Sequence, residues 1–375
     1  MQTLNALNMP AILKPSLNWL LIFVPATIIV HYAGLLSETV VFVFACLAVI
    51  PLAGWMGKAT EHLAERTSEG VGGLLNATFG NAAELIIAIV ALRRGMTEIV
   101  KASLTGSIIG NILLVLGAAL LAGGLRKKRQ VFNVVGVRAQ ATLLTLAAVA
   151  LIAPAAFHHA TAPEGIANEV SLSVAIAVIL IVVYAFGLFF SLHTHRHLFA
   201  GHGHSTSEEP GEQSSSPSPA AWPLQIALLV LFTATALVAW ISEILVSTVE
   251  HSADALGMNH VFVGVIVIAV IGNAAEHSTA VLMALKDRMD LSLGIAIGSS
   301  IQVALFVAPV LVLLSHFVGP APMDLVFTLP EVIAVALAVA ITSQIAGDGE
   351  SNWLEGVLLL AVYAVLAVVF YFLPG

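Results

Sequence analysis

Charge is what this sequence most lacks. Of its 375 residues, 36 are Asp, Glu, Lys or Arg, 10% of the chain, where a soluble domain carries about 25%, roughly 94 at this length. Hydrophobic residues make up 59%. So few charges cannot clothe a globular surface of this size, so lipid must cover much of it and a soluble enzyme is excluded. Cysteine is nearly absent too. Cys46 stands alone inside an apolar run, which excludes an intrachain disulfide. The net charge of −8 offers no basic surface for nucleic acid. There is no HExxH zinc motif and no nucleophile beside a positioned base, so neither an intramembrane hydrolase nor any resident cofactor is expected. The amino terminus lacks the basic start, short apolar core and small-residue cleavage site of a signal peptide. The first apolar run is therefore expected to be retained.

Long apolar runs are what the chain has in abundance. A membrane-spanning helix needs about 20 such residues. Runs of that kind lie near 17–36, 38–56, 71–92, 98–122, 133–157, 169–192, 222–246, 259–283, 290–315, 322–345 and 353–373. An all-α polytopic membrane protein of about eleven transmembrane helices is expected. Between the sixth and seventh runs, residues 193–221 are rich in His, Ser, Glu and Pro, a composition that builds no packed core and reads as a cytoplasmic linker. Its alternating His193, His195, His197, His202 and His204, followed by Glu208, Glu209 and Glu212, invite transition metals, but solvation alone accounts for them. With the amino terminus inside, eleven basic residues fall on the inner side, among them Arg126, Lys127, Lys128 and Arg129. Only Arg93, Arg94 and Lys101 fall outside. That bias sets the orientation, with the amino terminus cytoplasmic and the carboxyl terminus outside.

The chain repeats itself. Gly80-Asn81-Ala82-Ala83-Glu84 recurs 192 residues later as Gly272-Asn273-Ala274-Ala275-Glu276. At the same offset Gly72 matches Gly264, Ala77 matches Ala269, Ala88 matches Ala280, and Gly106-Ser107 matches Gly298-Ser299. Glu84 falls in the third run and Glu276 in the eighth. A period of five helices is odd, so the second copy inserts upside down. The expected organisation is residues 1–37 with one extra helix, a five-helix repeat over 38–192, the linker 193–221, and an inverted five-helix repeat over 222–375. Transporters of this kind hold their substrate near the midplane, where the repeats meet.

Glu84 and Glu276 carry the strongest chemical signal. An ionised acid at mid-bilayer costs about 2.5–3.5 kcal/mol on insertion scales and usually marks a pathway or a binding site. The plainer alternative, a protonated acid that merely joins helices, does not explain its recurrence at one repeat position. Asn81 and Asn273 stand three residues earlier, so on a continuous helix each Asn–Glu pair shares a face. The next run of each repeat adds Ser107 or Ser299, with Asn111 in one copy and Gln302 in the other. All these groups offer oxygen. Hard cations such as Ca²⁺ take 6–8 oxygen ligands, whereas zinc favours His and Cys. The set suits Ca²⁺ or another hard cation. His277 has no counterpart in the first copy, where Leu85 stands. One residue beyond Glu276 it points about 100° away, so a proton-sensitive neighbour fits better than a ligand. Gly106-xxx-Gly110 and Gly294-xxx-Gly298 are small-xxx-small surfaces for close helix packing. Glu61, His62, Glu65 and Glu69 precede the first motif helix, and Glu250, His251 and Asp254 the second. They either gather cations at the two mouths or simply solvate a helix end. Glu243 and Glu331 also lie in or near spans but do not recur.

The paired GNAAE words, the second extended to GNAAEH, and the GS and GSSIQ helices that follow resemble the cation/proton exchanger (CAX) family of the cation/Ca²⁺ exchanger superfamily. The likeness spans roughly residues 38–373. It implies one extra helix plus two inverted five-helix repeats, and Ca²⁺/H⁺ antiport with Ca²⁺ and protons as the transported ions. It also implies that Glu84 and Glu276 bind the cation or protons, with Asn81, Asn273, Ser107, Ser299 and Gln302 as polar partners. Na⁺/Ca²⁺ or Na⁺(K⁺)/H⁺ exchange on the same fold, and a passive cation channel, remain open on the residues alone. The oligomeric state, a homo-oligomer included, is also open. A prokaryotic plasma (inner) membrane is the expected location.

Overall fold

The computed structural model describes residues 17–67, 69–161, 165–195 and 222–374. Its elements are almost all helical. In hydrocarbon every backbone N–H and C=O must be satisfied within the chain, and the helix does so locally. In chain order the helices are α1 (Leu17–Ala33), α2 (Glu38–Ala64), α3 (Glu69–Phe79), α4 (Ala82–Arg93), α5 (Thr97–Gly124), α6 (Val134–Thr161), α7 (Asn168–Thr194), α8 (Leu224–Ala255), α9 (His260–Gly272), α10 (Ala274–Leu285), α11 (Met289–Val318), α12 (Leu329–Ile345) and α13 (Trp353–Tyr371). Among the described residues seven helices are long and apolar enough to cross a membrane, or eight if α9 and α10, bent by 61° at their junction, count as one span. α1 and α12 are shorter apolar helices. Apolar side chains cover the outside: Phe186, Phe189, Phe232, Val365 and Val368 are all exposed, as lipid contact requires.

The two motif runs differ from the expected continuous spans. Each is broken within its own glycine–asparagine pair. α3 ends at Phe79 and α4 begins at Ala82; α9 ends at Gly272 and α10 begins at Ala274. Asn81 and Asn273 cap the second half-helices with non-helical backbone angles (φ −101°, ψ 20° and φ −94°, ψ 3°). Each Asn–Glu pair therefore spans a break and a first helical turn, and the continuous helix face read from the spacing does not form. The helices that follow also share a local feature at one register: π-helical turns at Gly110–Val115 in α5 and Val303–Val307 in α11.

The connecting segments gather at two ends. At one end β1 (Gln130–Val131) pairs antiparallel with β2 (Glu350–Ser351), Gln130 opposite Ser351. The basic run beside β1 fastens the neighbouring loops. Arg126 donates to the Leu285 carbonyl (3.3 Å), Lys127 pairs with Asp287 (3.1 Å) and Arg129 with Glu350. At that end too, Arg66 donates to the Trp222 carbonyl (2.9 Å). At the other end Arg93 and Arg94 both reach Glu243 (3.3 Å each), and Asn259 donates to the carbonyls of Phe370, Tyr371 and Leu373. Glu243 thus serves an ion pair. Glu331 forms a capping box with Thr328 at the start of α12. His62 pairs with Glu65 (3.4 Å), and His251 lies 4.0 Å from Glu38. Of the linker histidines, His193 and His195 pack against Phe189 and Phe190; His197, His202, His204 and the three linker glutamates lie outside the described residues.

Lys101, in α5, donates to Asp324 Oδ1 (2.5 Å) and to the Val326 carbonyl (2.9 Å), pinning the segment before α12. Both partners are largely shielded, with side chains 15% and 28% exposed. Removing one partner of such a pair strands the other. Lys101→Met is expected to destabilise the fold by about 1–3 kcal/mol, the range for an unsatisfied buried group. Thermal unfolding in detergent, with Asp324→Asn in parallel, checks this.

Candidate functional site

The two breaks bring the half-helices' amino-terminal ends to a common place. Glu84 and Glu276 stand in the first turns of α4 and α10. There the unpaired N–H groups and aligned peptide dipoles favour negative charge, which offsets part of the burial of each carboxylate. The packing is reciprocal. A Cβ built on Gly80 would sit 3.5 Å from Glu276 Oε1, and one on Gly272 would sit 3.1 Å from Glu84 Cγ. Each acid thus rests on the glycine of the opposite motif. At Gly80 the same Cβ would also fall 2.6 Å from the Asn76 carbonyl oxygen, so the break admits no side chain there.

Amide and hydroxyl groups lace the four surrounding helices together. Asn81 Nδ2 donates to Gln302 Oε1 (2.6 Å), and Asn273 Nδ2 donates to Ser107 Oγ (2.9 Å) and to the Ala269 carbonyl (2.9 Å). Asn111 Nδ2 donates to Ser299 Oγ (3.0 Å), whose hydroxyl faces Asn81 Oδ1 at 3.5 Å. His277 Nε2 lies 3.1 Å from Asn111 Oδ1. It joins the network through an amide and leaves the carboxylates alone, as its position one residue past Glu276 requires. Asn81, Asn273, Ser107, Ser299, Gln302, Asn111 and His277 form one cluster beside Glu84 and Glu276, whereas Glu243, Glu331, His62 and His251 make contacts elsewhere. Three oxygens in it are buried with no hydrogen-bond partner: Glu84 Oε2, Glu276 Oε2 and Asn273 Oδ1. Buried acceptors left unpaired are costly and call for an explanation. Among the described residues no three His, Cys, Asp or Glu side chains form a metal cluster. The donor set is therefore two carboxylates and amide or hydroxyl oxygens, the chemistry of a hard cation.

The chain matches the family model described as sodium/calcium exchanger protein over residues 37–193 and 226–372. It belongs to that family. It is 48% identical to the Ca²⁺/H⁺ antiporter of Synechocystis sp., covering 95% of this chain and 96% of that one. It is 46% identical to the Ca²⁺/H⁺ antiporter ChaA of Bacillus subtilis, covering 90% and 93%. The solved structure of native YfkE superposes with a TM-score of 0.81 at 41% identity, covering 96% of this chain and all of that one. These relatives are transporters, so this member of the exchanger family stands among non-enzymes.

Among the described residues, a cavity opens onto the exchanger's site from one end. A cavity of about 250 Å³ reaches Glu276, Ser299 and Gln302 past Asn76, Gln140 and Asp290, from the end that carries the β1–β2 ladder. A second, more apolar space of about 780 Å³ adjoins it between α6, α7 and α11. The opposite side is shut. There α9 lies directly on α5: a Cβ on Gly106 would collide with the Val265 backbone, and one on Gly264 would fall 2.9 Å from the Ile99 carbonyl oxygen. Among the described residues, a cavity of about 10 Å³ lies there among Met96, Ile99, Val246 and Ile268. The counterparts of Gly106 and Ala102 in the second copy, Gly298 and Gly294, have nothing within 4 Å of a built Cβ. Asn76, Gln140 and Asp290 were missed by the sequence reading. The signal was there for two of them, since Asn76 and Gln140 are uncharged polar residues within apolar runs. Asp290 reads from sequence as an ordinary first-turn acid.

Proposed function

We propose that this chain is a secondary active antiporter that exchanges cytoplasmic Ca²⁺ for protons by alternating access at the Glu84–Glu276 site. One observation carries the reading: two carboxylates, seated on each other's glycines, hold unpaired buried oxygens, and a cavity reaches one of the pair, Glu276, from the end with the β ladder. Two ionised carboxylates neutralise one Ca²⁺. Once both are protonated they no longer attract it. Cation and protons then compete for the same oxygens, which couples opposite fluxes. Asn81, Asn273, Ser107, Ser299 and Gln302 supply and orient further oxygen donors, and His277 holds Asn111 in place. The names of the relatives, Ca²⁺/H⁺ antiporters from two bacteria, point the same way.

The architecture we assign is eleven spans, one extra helix followed by two inverted five-helix repeats over 38–192 and 222–375. The helix breaks and π-helical turns recurring at the 192-residue offset support it, as does the sorting of loops to two ends. The end with Arg126–Arg129 and the β ladder is then cytoplasmic by the basic-residue bias, in a prokaryotic plasma membrane with the carboxyl terminus outside. The open cavity faces the cytoplasm in that orientation.

The test is flux through purified protein in liposomes, with internal pH followed while Ca²⁺, Na⁺, K⁺ and Mn²⁺ are added in turn. Ca²⁺ should drive proton movement, with apparent affinity rising as pH rises, because the deprotonated carboxylates bind it. Proton flux driven by Na⁺ but not Ca²⁺ would overturn the ion assignment. Conductance with no proton coupling would overturn antiport in favour of a channel.

A further inference from the structure

We infer that Asp290 and Glu98 are matched mouth carboxylates, one on each side of the membrane, that concentrate the cation from bulk water and deliver it toward the paired glutamates. The inference rests on the exchange reading above.

Asp290 lies in the first turn of α11 and lines the cavity that ends at Glu276. Along α11, Asp290, Gly294, Gly298 and Gln302 recur at every fourth position, so they form one stripe. The two glycines leave the middle of that stripe clear, with nothing within 4 Å of where their Cβ atoms would be. Ser299, at the site, is nine residues on. At 1.5 Å per residue that places Asp290 about 13 Å away along the axis, at the cavity mouth. Its carboxylate is held in position there: Oδ1 accepts the Asn133 backbone N–H at 2.6 Å. Asn133 in turn accepts from Val135 and Gly136 (3.0 and 3.2 Å) at the start of α6.

The repeat supplies the second observation. Subtracting 192 from 290 gives 98, and Glu98 occupies the first turn of α5. The acid persists at this register although its surroundings changed, Lys101 in one copy standing where Leu293 stands in the other. Glu98 belongs to the half sealed by α9. It is exposed at the surface, while its neighbour Ile99 is packed into the seal. When that half opens, the repeat relation puts Glu98 on the wall of the new cavity, as Asp290 is now. A first-turn acid also suits the helix dipole, but that role concerns stability and gives no reason for a place on the ion path. A carboxylate in a cleft with low-dielectric walls focuses its field and raises local cation concentration.

The experiment uses the full chain in liposomes in a single orientation, with Ca²⁺ offered from either side and proton flux as the readout. Asp290→Asn is expected to raise KM for Ca²⁺ from the cytoplasmic side about 3–10-fold at low ionic strength, with kcat within about twofold. KM from the opposite side stays unchanged. Glu98→Gln gives the mirror result. Asp290→Glu restores KM, and added inert salt shrinks both shifts as the Debye length falls. A fall in kcat with KM unchanged, or no side preference, would overturn the proposal. Glu98 is exposed, so its variant keeps the test decisive if Asp290→Asn folds poorly. Wild type run alongside separates the two readings. Wild type that moves no protons in response to Ca²⁺ defeats the exchange reading and this inference together. Wild-type exchange with unshifted variants defeats this inference alone.

Discussion

Replacing either glutamate by glutamine, Glu84→Gln or Glu276→Gln, is expected to bring Ca²⁺-driven proton flux down at least about 100-fold, some 2.7 kcal/mol of lost activity. The amide keeps the carboxylate's shape, so its seat on the opposing glycine survives, as do the Asn81–Gln302 and Asn273–Ser107 bonds. What disappears is one negative charge and one titratable oxygen. A site left with a single carboxylate neither balances a divalent cation nor carries a second proton. Removing an ionisable group from the membrane interior relieves desolvation, so melting temperature in detergent should hold or rise. Near-wild-type exchange by either variant would remove the two-carboxylate site from the mechanism.

The second large effect concerns two glycines at one repeat position. Gly106 is pressed against the Val265 backbone where α5 and α9 close one side; Gly298 faces open space on the other. Alternating access requires these roles to exchange, with α3 closing on α11 as α9 now closes on α5. Gly298→Leu should then fold normally, because this conformation has room for the side chain. It should cut turnover by two orders of magnitude or more, since the opposite conformation has no room. Ca²⁺ protection of a cysteine placed in the open cavity should persist. Gly106→Ala is expected to act oppositely, destabilising the fold by about 1–3 kcal/mol through overpacking despite alanine's better helix propensity. Transport by Gly298→Leu at the wild-type rate would mean that α3 never closes on that face. Turnover and melting temperature of the two variants, measured together, decide the matter.

Much of the site was legible because the membrane penalises polarity. Glu84 and Glu276 stand out in runs of Ile, Leu, Val and Ala for that reason, and their duplication at one offset argued against accident. Asn81, Asn273, Ser107, Ser299, Gln302 and His277 came from the same contrast, and the structure gathers them around the acids. Hydropathy does not register the breaks at Gly80–Asn81 and Asn273, because both half-helices stay apolar across the junction. It is equally blind to the difference between the two sides. Gly106 and Gly298 open the same Gly-Ser pair at one repeat position, and which one is packed against a neighbouring backbone depends on how α3 and α9 lie. A duplicated sequence describes both states of such a protein at once, while one structure shows a single state.

The site's count of carboxylates has an electrical consequence. Two carboxylates that take either one divalent cation or two protons would be neutral on both legs of the cycle. Membrane voltage would then neither drive nor oppose the exchange. The pH difference alone would set the limit: about 1.36 kcal/mol per proton per pH unit, or about a 100-fold Ca²⁺ gradient for each unit when two protons move. Such a carrier would keep extruding Ca²⁺ from a depolarised cell for as long as the Ca²⁺ gradient stayed below the square of the proton gradient, and would run backwards once it exceeded that limit.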